Sequence, residues 1–184
     1  MVVKAYSRPY SQVFIDSQSY NAAKLYRKRR KAMLQELDSI FVIAGMPIEP
    51  GCEEAFVQTW NKMVQEPAFL YLTGINQPGC YLLLDPRTGD EILFVPPKDP
   101  FKEFWNGKRL GYLEGDNEVP RITGIEDVRP ADELMDTVVA RAKKLHGDLP
   151  VYAFFFEKFK GDHNDRFKRE LLKALRPLGV ALKS

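Results

Sequence analysis

Residues 67–111 read PAFLYLTGINQPGCYLLLDPRTGDEILFVPPKDPFKEFWNGKRLG. The order of apolar runs and turn signals in this stretch decides the fold class. FLYLTG (69–74) is an aromatic-rich run ended by Gly74 and reads as a strand, INQPG (75–79) as a loop, and CYLLLD (80–85) as a strand covered on both faces. DPRTGD (85–90) places a proline early in a turn and a glycine soon after, so CYLLLD and EILFV (91–95) are expected to form an antiparallel hairpin. PPKDP (96–100) breaks the pattern, FKEFW (101–105) has room for one or two helical turns, and Asn106-Gly107 is a turn dipeptide.

Working outward, residues 1–18 lack sustained periodicity and read as an N-terminal arm, with a single domain expected over 19–184. From Asn21, Ala22, Tyr26, Met33 and Leu37 recur at helical spacing. SIFVIAG (39–45) is a short strand closed by Gly45, and residues 52–66 are ambiguous. On the other side, ITGIEDV (122–128) and VYAFFF (151–156) read as strands. Pro130 opens a helix with Leu134, Val138, Arg141 and Leu145 on one face. A last helix, capped by Asp162 or Asn164, carries Phe167, Leu171, Leu172 and Leu175 and stops before Pro177. About six strands interleaved with three or four helices predict an α/β domain with a mixed sheet. No internal repeat is apparent.

A chain of 184 residues with 45% hydrophobic content is the size of one large domain, able to bury about 70% of its unfolded surface. Twenty-seven Lys and Arg against 25 Asp and Glu leave a net charge of +2, which gives no general attraction to nucleic acid or anionic membrane. No window has 18 consecutive apolar residues and the first 20 residues have no secretory pattern, so a soluble, cytoplasmic protein is expected. Cys52 and Cys80 have no metal-ligand spacing and read as ordinary thiols.

The residue types that carry chemistry are sparse. His146 and His163 fit neither H-E-x-x-H nor H-x-E, and helix-end roles account for both. G-x-S-x-G and the phosphate-cradling glycine motifs are missing. Asp85 is the candidate carboxylate for a two-metal site, and turn formation with Pro86 explains it more simply. KLYRKRRK (24–31) has the charge of a phosphate-binding patch but no stacking platform beside it, so a solvated helix face or an intrachain contact is the better reading. Phe69 and Tyr71 read as core or interface. Trp105, between a proline-rich break and a turn, suits a sheet cover and a pocket rim equally.

In order and spacing, YRKRRKAML (26–34), FLYLTG, LLLD (82–85), LFVPPKDP (93–100) and FWNGKRLG (104–111) resemble the N-terminal domain of aminopeptidase P and its relatives, the Xaa-Pro peptidases of the creatinase and prolidase group. The motif Tyr71-Leu72-Thr73-Gly74 and the motif Trp105-x-Gly107-x-Arg109 lie at the family's separation, with Asp99, Glu103 and Gly111 in place. The sequence departs from the family pattern over TWNKMVQEPA (59–68) and at Leu70. The resemblance implies a three-layer, ribonuclease-H-like α/β/α domain preceding a catalytic domain of pita-bread fold. That catalytic domain, whose two divalent cations are usually manganese, is expected to be absent from this chain. It also implies that Trp105 and Arg109 stand at the rim of the substrate entrance, where Arg109 anchors the turn or meets a carboxylate. Phe69, Tyr71, Thr73, Gly74, Asp99 and Gly107 would then belong to structural motifs. Implied partners are the catalytic domain of the same polypeptide, further copies in a homo-oligomer, and proline-containing peptides. The alternative is a stand-alone binding or assembly module of the same fold. A two-metal nuclease, suggested by the implied fold alone, requires carboxylates converging at strand ends.

Overall fold

A computed structural model describes residues 19–46, 65–106, 109–146, 148–154 and 163–183. The expected arm, Cys52, most of the ambiguous stretch 52–66, Gly107 and the end of the VYAFFF run lie outside the described residues, as does the side chain of Trp105. Helix α1 (Ser19–Glu36) leads into β1 (Phe41–Ala44), then α2 (Pro67–Thr73), β2 (Tyr81–Asp85), β3 (Asp90–Val95), α3 (Pro100–Asn106) and α4 (Glu118–Thr123). They are followed by β4 (Asp127–Pro130), a 3-10 turn (Ala131–Glu133), α5 (Leu134–Ala142), β5 (Val151–Phe154), α6 (His163–Leu175), a second 3-10 turn (Arg176–Leu178) and β6 (Leu182–Lys183).

Among the described residues six strands form one mixed sheet in the order β4-β3-β2-β1-β5-β6. The hairpin pairs Leu83 with Ile92 and Asp85 with Asp90 in antiparallel register, and β1 runs antiparallel to β2 with Val42 opposite Leu83. β5 lies parallel to β1, β4 parallel to β3, and β6 parallel to β5. Strand residues alternate between two cores, which explains the uninterrupted Leu82-Leu83-Leu84 run. Val42, Leu83, Ile92, Phe94 and Ala153 pack against Leu134 and Val138 of α5 and Phe167, Leu171 and Leu175 of α6. Ile43, Leu82, Leu84, Leu93 and Val95 pack against Phe69 and Leu72 of α2, Val119 and Ile122 of α4, Met33 and Leu34 of α1, and Leu37 just past its end. At about 1.5–3 kcal/mol for each fully buried large apolar side chain, these two clusters supply the main stabilisation. The result is the expected three-layer α/β/α arrangement.

Two strand readings are corrected. FLYLTG is the body of α2, not a strand: Pro67 occupies the first turn, the Glu66 carboxylate accepts from Ala68 N at 3.0 Å and from Phe69 N, and Gly74 ends the helix with its N–H donating to Leu70 O. Helical spacing buries Phe69 and Leu72 and leaves Tyr71 55% exposed, so of the two aromatics only Phe69 is core. Within ITGIEDV, Ile122 and Thr123 finish α4 and pairing starts at Asp127. The number of strands among the described residues still comes to six because β6, two residues long, adds one that the sequence does not signal. Leu172 of α6 is 45% exposed and stands apart from the buried face of Phe167, Leu171 and Leu175.

Helices α2 and α4 end in a short internal repeat. Leu72-Thr73-Gly74-Ile75 and Ile122-Thr123-Gly124-Ile125 build one cap twice. In each, the Thr Oγ1 donates four residues back, to Phe69 O at 2.7 Å or Val119 O at 2.9 Å, and accepts the N–H of the following Ile at 3.1 Å. The basic run of α1 spans both caps. Arg29 donates to Tyr71 O at 2.9 Å, Arg30 to Leu72 O at 2.8 Å and Thr123 O at 3.0 Å, and Arg27 to Gly124 O at 2.9 Å. Cations at the carbonyl ends of two helices are favoured by their dipoles, and these contacts decide the intrachain reading of KLYRKRRK.

Gly74 and Gly89 share a φ of about +73° but differ in surroundings. A Cβ at Gly74 would lie 2.3 Å from the Tyr26 ring, whereas one at Gly89 meets nothing within 4 Å. Gly89→Ala should therefore cost about 1–2 kcal/mol from the left-handed backbone alone, and Gly74→Ala a further 1–3 kcal/mol, roughly, from overpacking. Urea denaturation compares the two, and equal losses would remove Tyr26 from the account.

Candidate functional site

The segment after β3 is a pinned stem carrying an outward helix. Pro96 O accepts from Tyr112 N at 2.8 Å, and Lys98 N donates to Tyr112 O at 2.9 Å. Gly111 has to be glycine there, since a Cβ would fall 2.7 Å from Lys98 Cα. Gln77 completes the base by acting as a piece of backbone: its Nε2 donates to Leu110 O at 2.7 Å, and its Oε1 accepts from Leu110 N at 2.9 Å. Lys98 Nζ meets Asp116 at 2.8 Å and Glu118 at 3.7 Å, and the hydrogen bond to Asp116 raises the Lys98 pKa. From this base α3 projects. Asp99 starts it, its Oδ1 accepting from Phe101 N at 3.1 Å and its carbonyl accepting from Glu103 N at 2.9 Å. Glu103 Oε1 then accepts the Arg109 N–H at 3.1 Å.

Phe101 and Phe104 are 75% and 79% exposed, and their i, i+3 spacing puts them on one face of α3. Apolar rings turned to solvent on an anchored stem are suited to contact with another molecule or another part of the polypeptide. Trp105 belongs to the same helix. Arg109 Nε and Nη2 are buried and have no hydrogen-bond partner, and Asn76 Oδ1 is in the same condition.

The sequence-predicted residues thus divide. Asp99, Glu103 and Arg109 are brought together in the stem, and Trp105 lies on its helix. Phe69, Thr73 and Gly74 form the α2 cap instead. Tyr71 stacks under the Arg29 guanidinium, 4.0 Å from ring centroid to Cζ. Sequence reasoning missed Gln77, Phe101 and Phe104. The phenylalanines had a signal, because a two-turn FKEFW helix necessarily puts both on one face. Gln77 had none, since its partner lies 33 residues away.

A concavity of about 720 Å³ opens beside Asp85, Arg87, Asp90, Asp136 and Arg141. The Asp85 carboxylate accepts the Arg87 fork at 3.0 and 2.8 Å and Arg141 at 3.0 Å, while Arg141 also reaches Asp90 at 2.7 Å. Asp85 does sit at the expected turn, with Gly89 N donating to its carbonyl at 2.9 Å. Its carboxylate is taken up by two arginines and offers no free pair for a metal. Among the described residues no group of three His, Cys, Asp or Glu side chains is placed to hold a cation. Burial pushes the Cys80 thiol up to about 12, which leaves it unreactive at neutral pH. His146 is exposed. No helix among the described residues is long and apolar enough to cross a membrane.

Comparison with known proteins places this architecture. A family model described as aminopeptidase P, N-terminal domain, matches residues 26–149. Intermediate cleaving peptidase 55 of Schizosaccharomyces pombe is 30% identical over 134 residues, covering 71% of this chain and 25% of that protein. An Xaa-Pro aminopeptidase of Haemophilus influenzae is 47% identical over 49 residues, 26% of this chain and 11% of that one. Among solved structures, an Escherichia coli aminopeptidase P variant in complex with substrate superposes with a TM-score of 0.61 at 20% identity, covering 89% of this chain and 36% of the other. Proline aminopeptidase P II from Yersinia pestis gives 0.60 at 22% identity, with coverages of 88% and 36%. The chain therefore spans only about a third of the solved chains and a quarter or less of these two sequence relatives.

Proposed function

The chain belongs to the aminopeptidase P N-terminal domain family, and from that premise we propose that it is the non-catalytic N-terminal domain of a metal-dependent Xaa-Pro aminopeptidase. The parent removes the N-terminal residue preceding proline. In this reading the α3 stem, with Trp105 and Arg109, forms part of the rim of the substrate entrance, and the domain contributes contacts to a cytoplasmic homo-oligomer. The observation that carries the reading is the stem itself. Gln77, Gly111 and Lys98 hold its base in place while Phe101 and Phe104 face outward, and apolar rings on a fixed support are what lining a ligand entrance requires.

The described residues do not fit the two divalent cations, manganese by expectation, that the parent would use. Asp85 is neutralised by Arg87 and Arg141, and no other group of donors among the described residues converges. No chemical step is assigned to this chain, and the cations belong in the pita-bread catalytic domain. The 184-residue chain incubated with manganese and an Xaa-Pro peptide is expected to show no turnover, whereas the full-length polypeptide releases the first residue. Metal-dependent cleavage by the short chain would overturn this division of labour. The outward phenylalanines also suit a stand-alone binding module, and absence of any coding sequence for a catalytic half would favour that reading.

A further inference from the structure

Among the described residues, five buried polar side-chain atoms have no hydrogen-bond partner. Three of them, Asn76 Oδ1, Arg109 Nε and Arg109 Nη2, belong to the residues next in sequence to Gln77 and Leu110, which pair at the base of the stem. The two arginine atoms are the matched edge of one guanidinium. Elsewhere in this molecule that same edge grips carboxylates two-handed. Arg87 Nε and Nη2 take Asp85 Oδ1 and Oδ2 at 3.0 and 2.8 Å, and Arg129 takes Asp127 in the same way at 2.8 and 2.7 Å. The planar fork matches a carboxylate in geometry and charge. At Arg109 it is withdrawn from water with nothing to hold, although the backbone of the same residue is fixed by Glu103.

Resting on the proposed entrance role, we propose that the Nε/Nη2 edge of Arg109 is a carboxylate receptor filled from outside the described residues. Two sources share this chemistry: the C-terminal carboxylate of a short peptide substrate, and an Asp or Glu side chain of the parent assembly. Leaving two charged donors buried and unmet is costly. Selection for the fork is therefore expected to show as a loss when it is removed, and an unfilled fork as a gain.

The test uses the full-length protein with Arg109→Met, which keeps the bulk of the stem of the side chain but removes its donors, and Arg109→Lys, which keeps the charge without the fork. Thermal unfolding is measured without peptide. KM is measured for a tripeptide Xaa-Pro-Xaa as the free acid and as its C-terminal amide. A peptide carboxylate predicts a roughly tenfold or larger rise in the acid-to-amide KM ratio for both variants. A protein carboxylate predicts an unchanged ratio and a lower thermal midpoint, with Lys between wild type and Met. An unchanged ratio together with an unchanged or higher midpoint for Arg109→Met overturns the proposal. Should the wild-type protein not turn over Xaa-Pro peptides, the parent reading fails separately. The ratio is then taken from calorimetric affinities for the same acid and amide, and the midpoint still decides whether Arg109 is engaged.

Discussion

Arg30→Ala is expected to lower the unfolding free energy by about 3–5 kcal/mol, the range for breaking a buried ion pair by removing one partner. Arg30 is fully buried and its Nε meets Glu91 Oε2 at 2.8 Å. Burial pulls its pKa down and the adjacent Glu91 charge pulls it back up. Removing the guanidinium leaves the Glu91 carboxylate, which has 15% of its side chain exposed, without its cation. It also strips Leu72 O and Thr123 O of their donor. Arg30→Lys supplies a charge but not a planar set of donors reaching two carbonyls and a carboxylate, so a loss of about 1–3 kcal/mol is expected. Urea denaturation at neutral pH reads both. A loss under about 1 kcal/mol for the alanine variant would mean the clamp is incidental. The consequence extends to the stem, because Arg30 fixes the end of α2 from which the chain runs three residues past Gly74 to Gln77. Gln77 in turn holds Leu110. Loosening the clamp is expected to loosen the base of α3.

The sheet was legible because its strands are long apolar runs bounded by strong turn chemistry. Asp85-Pro86-Arg87-Thr88-Gly89-Asp90 sets the hairpin register, and Leu82 to Leu84, alternating between two cores, can only be central. FLYLTG was misread because aromatic and β-compatible residues in a six-residue window carry no period that separates strand from helix. The deciding signals lay at its ends. A carboxylate at Glu66 followed by Pro67 starts a helix, and Thr73-Gly74 stops one. Thr123-Gly124 repeats the stop, so the paired Thr-Gly-Ile sequences were a legible sign of two matching helix ends. The arginines that bind those ends were visible only as charge. Which carbonyls they serve depends on contacts 42 to 97 residues apart, and no local pattern encodes them. The same applies to the stem: its outward face follows from FKEFW once the helix is granted, but the burial of Arg109's fork is a tertiary fact.

Asp85→Asn is expected to cost about 3 kcal/mol at neutral pH, and the cost should disappear in acid. The Asp85 side chain is 1% exposed, and it joins the β2–β3 turn to α5 through Arg87 and Arg141. Arg87 extends the link by donating to Lys144 O at 2.9 Å. An amide in its place keeps the shape but leaves two partly buried guanidinium groups without their shared anion, which sets the approximate size of the loss. Burial by itself disfavours the charged form of Asp85, but the hydrogen bonds from Arg87 and Arg141 together outweigh it and hold the carboxyl below its ordinary range. A group whose folded pKa is depressed contributes stability that is fully present above its unfolded pKa, roughly 4, and is lost as pH falls through the folded pKa. The wild-type advantage over Asp85→Asn should therefore be constant from neutral pH down to about pH 5 and shrink steadily below about pH 4. Asp90 complicates the window in a defined way. Its pKa is also lowered, by Thr88 first and then by Arg141 against the opposing effect of burial, so the single variant keeps part of the acid sensitivity. Adding Asp90→Asn should flatten the remainder. Stability curves measured by urea denaturation from pH 2 to 7 test this, and an advantage that grows on acidification would show that Asp85 is held protonated in the fold and that the two arginines do not act on it as described.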